Sequence, residues 1–276
     1  MLTDKLLIKD KVCVITGGAG LLGRQHARAV LEGKGIPVLL DISEKSLEDA
    51  KASLKNQYRE AEIGIYKTDI TDETELEKVR KDLILKFGHI DILINNAANN
   101  PKMEEASANL GNIRFDNFPL DIWQGDIAVG LTGAFLCAKV FGTEMERQGE
   151  GVILNISSDL GIIGPDQRIY RKDSVREEDQ IIKPVTYSVI KHGLLGLTKY
   201  LATYWANKNI RVNALCPAGV ENGQDKEFVK KLTNLVPMGR MAEVEEYQCT
   251  VLYMISGASS YMTGSTVIVD GGRTCW

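Results

Sequence analysis

No stretch of the chain approaches the roughly 18 uninterrupted apolar residues of a membrane-spanning helix. The segment from Met1 to Asp10 is broken by Asp4, Lys5, Lys9 and Asp10 and has no apolar leader core. An excess of positive charge is missing too. Against 37 Asp and Glu stand 33 Lys and Arg, a net charge of −4, which gives no electrostatic reason to expect nucleic acid or an anionic membrane as partner. Cysteine is sparse: Cys13, Cys137, Cys216, Cys249 and Cys275 are scattered, with no pair at metal-ligand spacing. Such an odd, dispersed set reads as reduced thiols in a cytoplasmic protein. His26, His89 and His192 lie far apart; they predict no metal site and read as surface or packing residues. No repeat, low-complexity tract or linker divides the sequence, so one domain over residues 1–276 is expected, long enough for a sizeable core.

What is present is alternation. Val12–Thr16, Pro37–Asp41, Ile63–Lys67, Asp91–Asn95, Val152–Ser157, Arg211–Cys216 and Thr266–Val269 are short runs rich in β-branched residues and read as strands. Several are apolar nearly throughout, as parallel strands covered on both faces should be. Between them, Leu22–Leu31, Ser43–Asn56, Glu73–Phe87, Asp121–Arg147, Thr186–Lys208 and Glu243–Ile255 read as helices. The alternation predicts an α/β fold, a doubly wound parallel sheet of about seven strands with helices on both faces. Two segments break the rhythm: 165–184, dense in charge, and 218–235, a polar loop running into a short helix. Long irregular loops are either functional lids or solvated excursions, and both readings stay open here.

The first strand runs straight into Gly17-Gly18-Ala19-Gly20-Leu21-Leu22-Gly23 and then a helix. Glycines at this junction let the backbone turn tightly and approach a pyrophosphate seated on the helix N-terminus. The second strand ends in Asp41, 18 residues after Gly23. A carboxylate there accepts hydrogen bonds from the adenosine ribose hydroxyls and repels a 2′-phosphate, and neither Leu40 nor Ile42 is a cation. NAD(H) is therefore favoured over NADP(H).

Tyr187 and Lys191 stand four apart on a predicted helix and share one face. A phenol near its reference pKa of about 10 is a poor acid–base group at neutral pH, and a neighbouring ammonium moves it toward the working range. Asn155-Ile156-Ser157-Ser158 and Asn95-Asn96-Ala97-Ala98 place polar groups at strand C-termini, where open α/β sheets build their sites.

Taken in order, TGGAGLLG, NNAA, NISS, YSVIK, NALCPAG and VDGG resemble the short-chain dehydrogenase/reductase family over essentially the whole chain. The resemblance implies a Rossmann-type domain with Tyr187 as acid/base. Lys191 would hold the nicotinamide ribose and lower the tyrosine pKa, and Ser158 would hydrogen-bond the substrate carbonyl or hydroxyl. Gly17, Gly20, Leu22 and Gly23 would form the phosphate turn. Asp41 would take the adenosine ribose, and Asp69 and Ile70 would lie beside the adenine. Asn95, Ala97, Pro217, Gly219 and Val220 would line the cofactor. The sequence is also similar to members of this family encoded with bacterial flagellin-glycan and surface-polysaccharide pathways, which share the long insertion and the NALCPAGVENGQ stretch. That points to a sugar-derived small molecule as substrate.

Departures from the pattern sharpen the reading. The glycine spacing is that of longer relatives acting on nucleotide sugars as epimerases and dehydratases, so such a reaction is the alternative; a non-enzymatic dinucleotide-binding protein is a third. Where the family places a relay asparagine, this chain has Gly130. Either Asn99, Asn100 or Asp159 replaces it, or the site differs in rate or reaction type. The gap from Ser158 to Tyr187 is longer than in ordinary members, and the surplus is segment 165–184. Its Arg168, Arg171, Lys172 and Arg176 could contact an anionic substrate such as a sugar phosphate or sugar acid, or the segment could be a solvated flap. Ala218 and Asn222 replace a usual Gly and Thr near the nicotinamide. The resemblance further implies a homodimer or homotetramer packed through Asp121–Arg147 and Thr186–Lys208, with Gly133, Ala134, Leu194, Leu197 and Leu201 as suitable positions that suit a monomer core equally.

Overall fold

The computed structural model describes residues 1–99 and 114–276; Asn100, one of the possible relay substitutes, lies outside them. Seven strands form one sheet: β1 (Val12–Thr16), β2 (Ile36–Asp41), β3 (Gly64–Lys67), β4 (Ile92–Asn95), β5 (Gly151–Ile156), β6 (Ile210–Pro217) and β7 (Thr266–Val269). Every adjacent pair is parallel, in the order β3-β2-β1-β4-β5-β6-β7. The order reverses between β1 and β4, which opens a crevice at the carboxyl ends of those strands. All the predicted strands are present, with ends displaced by at most a residue.

Strand alternation sorts the core into two layers. Cys13, Ile15 and Leu39 face a layer with α1 (Leu21–Glu32), α2 (Glu44–Gln57) and α7 (Gln248–Ile255). Val12, Val14, Val38 and Leu40 face the other, with α3 (Glu73–Phe87), α4 (Leu120–Gln148) and α5 (Val185–Tyr204). The polar loop after β6 leads into α6 (Lys226–Thr233), capped by Asp225. By length and composition α4 could cross a membrane, but its Cys137, Val140, Phe141 and Met145 are buried in the core. His26 is buried in α1, and burial pushes its pKa down to about 4.

Two helices end differently from the prediction. The Thr186–Lys208 run is helical only to Tyr204, after which Trp205 turns into the core against Gly142 and a 3-10 turn follows. The Glu243–Ile255 run divides into a 3-10 turn, Val244–Tyr247, and α7.

Where α4 crosses α5, small residues permit close approach. Gly130 sits in a wider, π-type turn of α4, and a Cβ there would meet Ile190 Cγ2 at 2.7 Å. Of the positions proposed for an oligomer seam, Gly133, Ala134, Leu194 and Leu201 are buried within the chain. The exposed large apolar residues of these helices are instead Leu120, at the start of α4, and Phe135, Val189, Tyr200 and Tyr204.

The space at Gly130 is therefore occupied by Ile190, and a relay asparagine has no room. Gly130→Asn is expected to lower unfolding stability by about 1–3 kcal/mol through overpacking, with Ile190→Ala in the same chain recovering part of the loss. Urea denaturation of both variants checks this; an undiminished midpoint in Gly130→Asn would show the space to be open.

Candidate active site

The glycine turn is shaped by close approach. Gly17 has φ +59°, which an L side chain rarely adopts, and a Cβ on Gly23 would lie 2.2 Å from the Gly17 carbonyl oxygen. Gly20 is the N-cap of α1 and has no side chain to cap it, so the first-turn N–H groups are left as an anion seat. Asp41 closes the turn from β2: its Oδ2 accepts from Ala19 N at 3.3 Å and its Oδ1 from Ser43 N at 3.2 Å. Arg24, the adjacent cation, donates to the carbonyls of Ala19 and Ser46. An ungated anion seat beside a carboxylate suited to ribose hydroxyls fits a dinucleotide.

Asn96 holds the turn against β4. Its side-chain N–H groups donate to the Thr16 and Gly17 carbonyls, and Thr16 Oγ1 accepts from the amides of Asn96 and Ala97 at 3.0 Å. One residue earlier the side chain points the other way. Asn95 is buried and donates to Asn155 Oδ1 at 2.9 Å, while Asn155 Nδ2 donates to Thr198 Oγ1 of α5 at 2.8 Å.

At the far end stand Ser158, Tyr187 and Lys191. The two serines after β5 have separate duties. Both line the cleft: Ser157 Oγ is turned back to donate to the Lys191 carbonyl oxygen at 2.7 Å, and Ser158 Oγ donates to Asp159 Oδ1 at 2.7 Å. Lys191 Nζ donates to the Ile156 carbonyl oxygen at 2.8 Å and lies 5.6 Å from the Tyr187 ring centroid. A second ammonium, that of Lys183, lies closer, 3.9 Å over the same ring.

The tyrosine pKa runs against the expectation from spacing. Burial pushes Tyr187 up to about 12, the Ser158 hydroxyl draws it down, and the Asp159 charge raises it again. Lys191 is desolvated too: burial, then the charge of Lys183, brings its pKa down to about 8. Asp159 is raised, chiefly by burial.

One cleft of about 550 Å³ brings together Gly17, Gly20, Leu22, Asp41, Ala97, Ser158, Tyr187, Lys191, Pro217, Gly219 and Val220, with Ala218 and Asn222. Four predicted cofactor residues are not in its lining. Gly23 lies behind the turn, packed on the Gly17 carbonyl. Asn95 is spent inside the sheet. Asp69 folds back on the amide and hydroxyl of Thr71, and Ile70 is buried under Gly133. Of the relay substitutes, Asp159 lines the cleft, whereas Asn99 is exposed and reaches Asp126 at 3.4 Å. Sequence reasoning missed Asn96, Lys183 and Arg273, all of which line the cleft. Only the strand period could have singled out Asn96; nothing distinguished the other two from their charged neighbours.

Segment 165–184 is an ordered loop. Gln180 donates to the Lys172 and Val175 carbonyls and accepts from the Lys172 amide, and Gln167 accepts from the Lys183 amide at 2.8 Å. Tyr170 stacks on Phe228 of α6, with ring centroids 5.4 Å apart.

The depressed pKa of Lys191 fixes a sign. Below about 8 both folded and unfolded forms hold its proton, and the burial penalty is full; between about 8 and 10.5 only the unfolded form holds it, so stability rises with pH. Denaturation followed from pH 8 to 10 should show that rise, shallower in Lys191→Met, which should also be the more stable protein at pH 7. A Lys191→Met chain less stable than its parent would contradict the assignment.

Residues 19–274 match the family model described as Enoyl-(Acyl carrier protein) reductase. The NAD-dependent glycerol dehydrogenase of Listeria innocua is 32% identical, over 97% of this chain and 95% of its own. Post-translational flagellin modification protein A of Campylobacter coli is 27% identical, over 96% of this chain and 99% of its own. A gluconate 5-dehydrogenase from Burkholderia cenocepacia, solved in complex with NADP and tartrate, superposes with a TM-score of 0.83 at 25% identity and full coverage of both chains. With the seven-stranded parallel sheet and the cleft at its switch point, these place the chain in the short-chain dehydrogenase/reductase family, as an oxidoreductase that binds a nicotinamide dinucleotide and acts on a small molecule.

Proposed function

We propose that the chain is an NAD(H)-dependent dehydrogenase/reductase that interconverts a hydroxyl and a carbonyl on a small, sugar-derived, anionic substrate, with Ser158, Tyr187 and Lys191 as its catalytic residues. The carrying observation is the convergence of these three on the cleft whose other end is the glycine turn and Asp41. A nicotinamide bound there supplies or accepts the hydride.

The chain's own residues handle the proton. In alcohol oxidation Tyr187 takes the hydroxyl proton, and in reduction it returns one to the nascent alkoxide. The Ser158 hydroxyl holds the reacting oxygen and stabilises charge that develops on it. Lys191, anchored on the Ile156 carbonyl, favours the phenolate by proximity. Burial holds the phenol at about 12 with Lys191 already in place, so proton transfer through Tyr187 works against that desolvation.

Asp41 supports NAD(H), since its carboxylate repels a 2′-phosphate and Arg24 is committed to backbone carbonyls. The sugar-derived substrate rests on kinship with the glycerol and gluconate dehydrogenases and the flagellin-modifying protein. Free thiols at all five cysteines suit a cytoplasmic location. The exposed Phe135, Val189, Tyr200 and Tyr204 on α4 and α5 suit a homo-oligomer.

Screening polyols, sugar acids and sugar phosphates with NAD+ for NADH absorbance tests the reaction; turnover without net NADH would favour the epimerase or dehydratase alternative. Tyr187→Phe should lower turnover by about a thousandfold with NADH affinity unchanged, and retained turnover would remove Tyr187 from the chemistry. Asp41→Ser should shift the NADP-to-NAD affinity ratio upward by about tenfold or more. An unmoved ratio would mean that Asp41 does not set the preference.

A further inference from the structure

The cations at the substrate end of the cleft fall into two groups. Three arginines of the 165–184 segment are already matched to carboxylates: Arg168 to Asp166 at 2.7 Å, Arg171 to Glu177, and Arg176 to Glu178 at 3.1 Å and Asp179 at 2.6 Å. They are spent within the loop. Lys172, Lys183 and Arg273 instead line the cleft. They come from the middle of the loop, from its last turn and from the chain's C-terminal tail. Neither Lys172 nor Arg273 forms an ion pair among the described residues.

Two of them stand at the reacting end, and Lys172 lines the same cleft. Lys183 stands 3.9 Å over the Tyr187 ring. Arg273 is near enough to Asp159, Asp166 and Tyr170 for its charge to act on all three, pulling against the burial that raises Asp159 and Tyr170. The acids of this end are largely committed. Asp166 is closed by Arg168, Asp225 caps α6 through the amides of Glu227 and Phe228, and Asp159 Oδ1 accepts from Ser158 Oγ and Leu160 N. The walls between are apolar, from Ile169, Ile181, Phe228 and Leu232. Three cations lining one cleft with apolar walls attract an anion, because the local dielectric is low.

We propose that Arg273, Lys172 and Lys183 form an oxyanion-binding subsite, so that the substrate carries a carboxylate or phosphate group beyond the carbon that reacts at Tyr187. The proposal deepens the dehydrogenase reading and rests on it for the position of the reacting carbon. It moves anion recognition away from the loop's arginines to residues from two separate parts of the chain. An arginine paired with two lysines also suits an oxyanion, the guanidinium giving direction and the ammoniums compact charge.

Calorimetric titration with tartrate and, separately, with inorganic phosphate tests it, using the whole protein with and without saturating NADH. NADH fills the pyrophosphate seat, so anion binding to that complex reports on sites away from the seat, and the variants assign it to the subsite. The wild type should bind at least one of the two anions saturably, and Arg273→Met and Lys183→Met should each weaken that binding by about tenfold or more. Arg168→Met should leave it unchanged, and NADH affinity should hold in all three variants. Binding of tartrate alone identifies a carboxylate substrate, and of phosphate alone a phosphate monoester; both outcomes support the subsite. It is overturned if neither anion binds the NADH complex, or if Arg273→Met and Lys183→Met bind as the wild type does. Failure of NADH itself to bind would strike the dehydrogenase reading instead, and the cofactor-free titrations would then decide the subsite.

Discussion

The buried chain of side chains from Asn95 through Asn155 to Thr198 is the constraint on which the site depends. It joins the end of β4 to β5 and β5 to α5, the helix that carries Tyr187 and Lys191. Away from water a lost amide partner costs more than the bond itself is worth, and here each amide nitrogen has its acceptor while Asn95 Oδ1 is left without a partner. The two donated bonds set the helix over the strand ends. Two shorter ties reinforce them, Ser157 Oγ onto the Lys191 carbonyl and Lys191 Nζ onto the Ile156 carbonyl. The loop after β5 and the reactive helix are thus held from both directions.

The sheet was legible because its signal is periodic and local: runs such as Val12–Thr16 state their burial on both faces without reference to partners. The cleft was legible in outline for a related reason, since parallel strands deliver their C-terminal residues to one edge. What eluded the sequence was direction. Asn95 and Asn96 are identical in type, and strand alternation sends one into the sheet and the other to the glycine turn. Charge pairing was equally hidden. The arginines of 165–184 read as available, and folding hands them to carboxylates a few residues away, while Lys183 arrives over Tyr187.

Tyr187 shows how burial competes with proximity. The spacing places an ammonium on the same helix face, but the same packing that brings the pair together removes water from both. Desolvation raises the phenol and lowers the amine, so each group moves toward its neutral form. The site stores this tension in its chemistry rather than in its backbone. Gly130 records a parallel choice in packing: the space that a polar relay residue would need is given to Ile190, which brings α4 and α5 close.

Gln167 and Gln180 fold the 165–184 segment upon itself, through bonds that begin and end inside it. A segment closed in this way holds its own shape and meets the rest of the chain at a few points: Tyr170 on Phe228, Lys183 over Tyr187, the Arg171 carbonyl on Lys231 and the Glu177 carbonyl on Arg114. Those points are where a change inside the loop is passed on to the cleft.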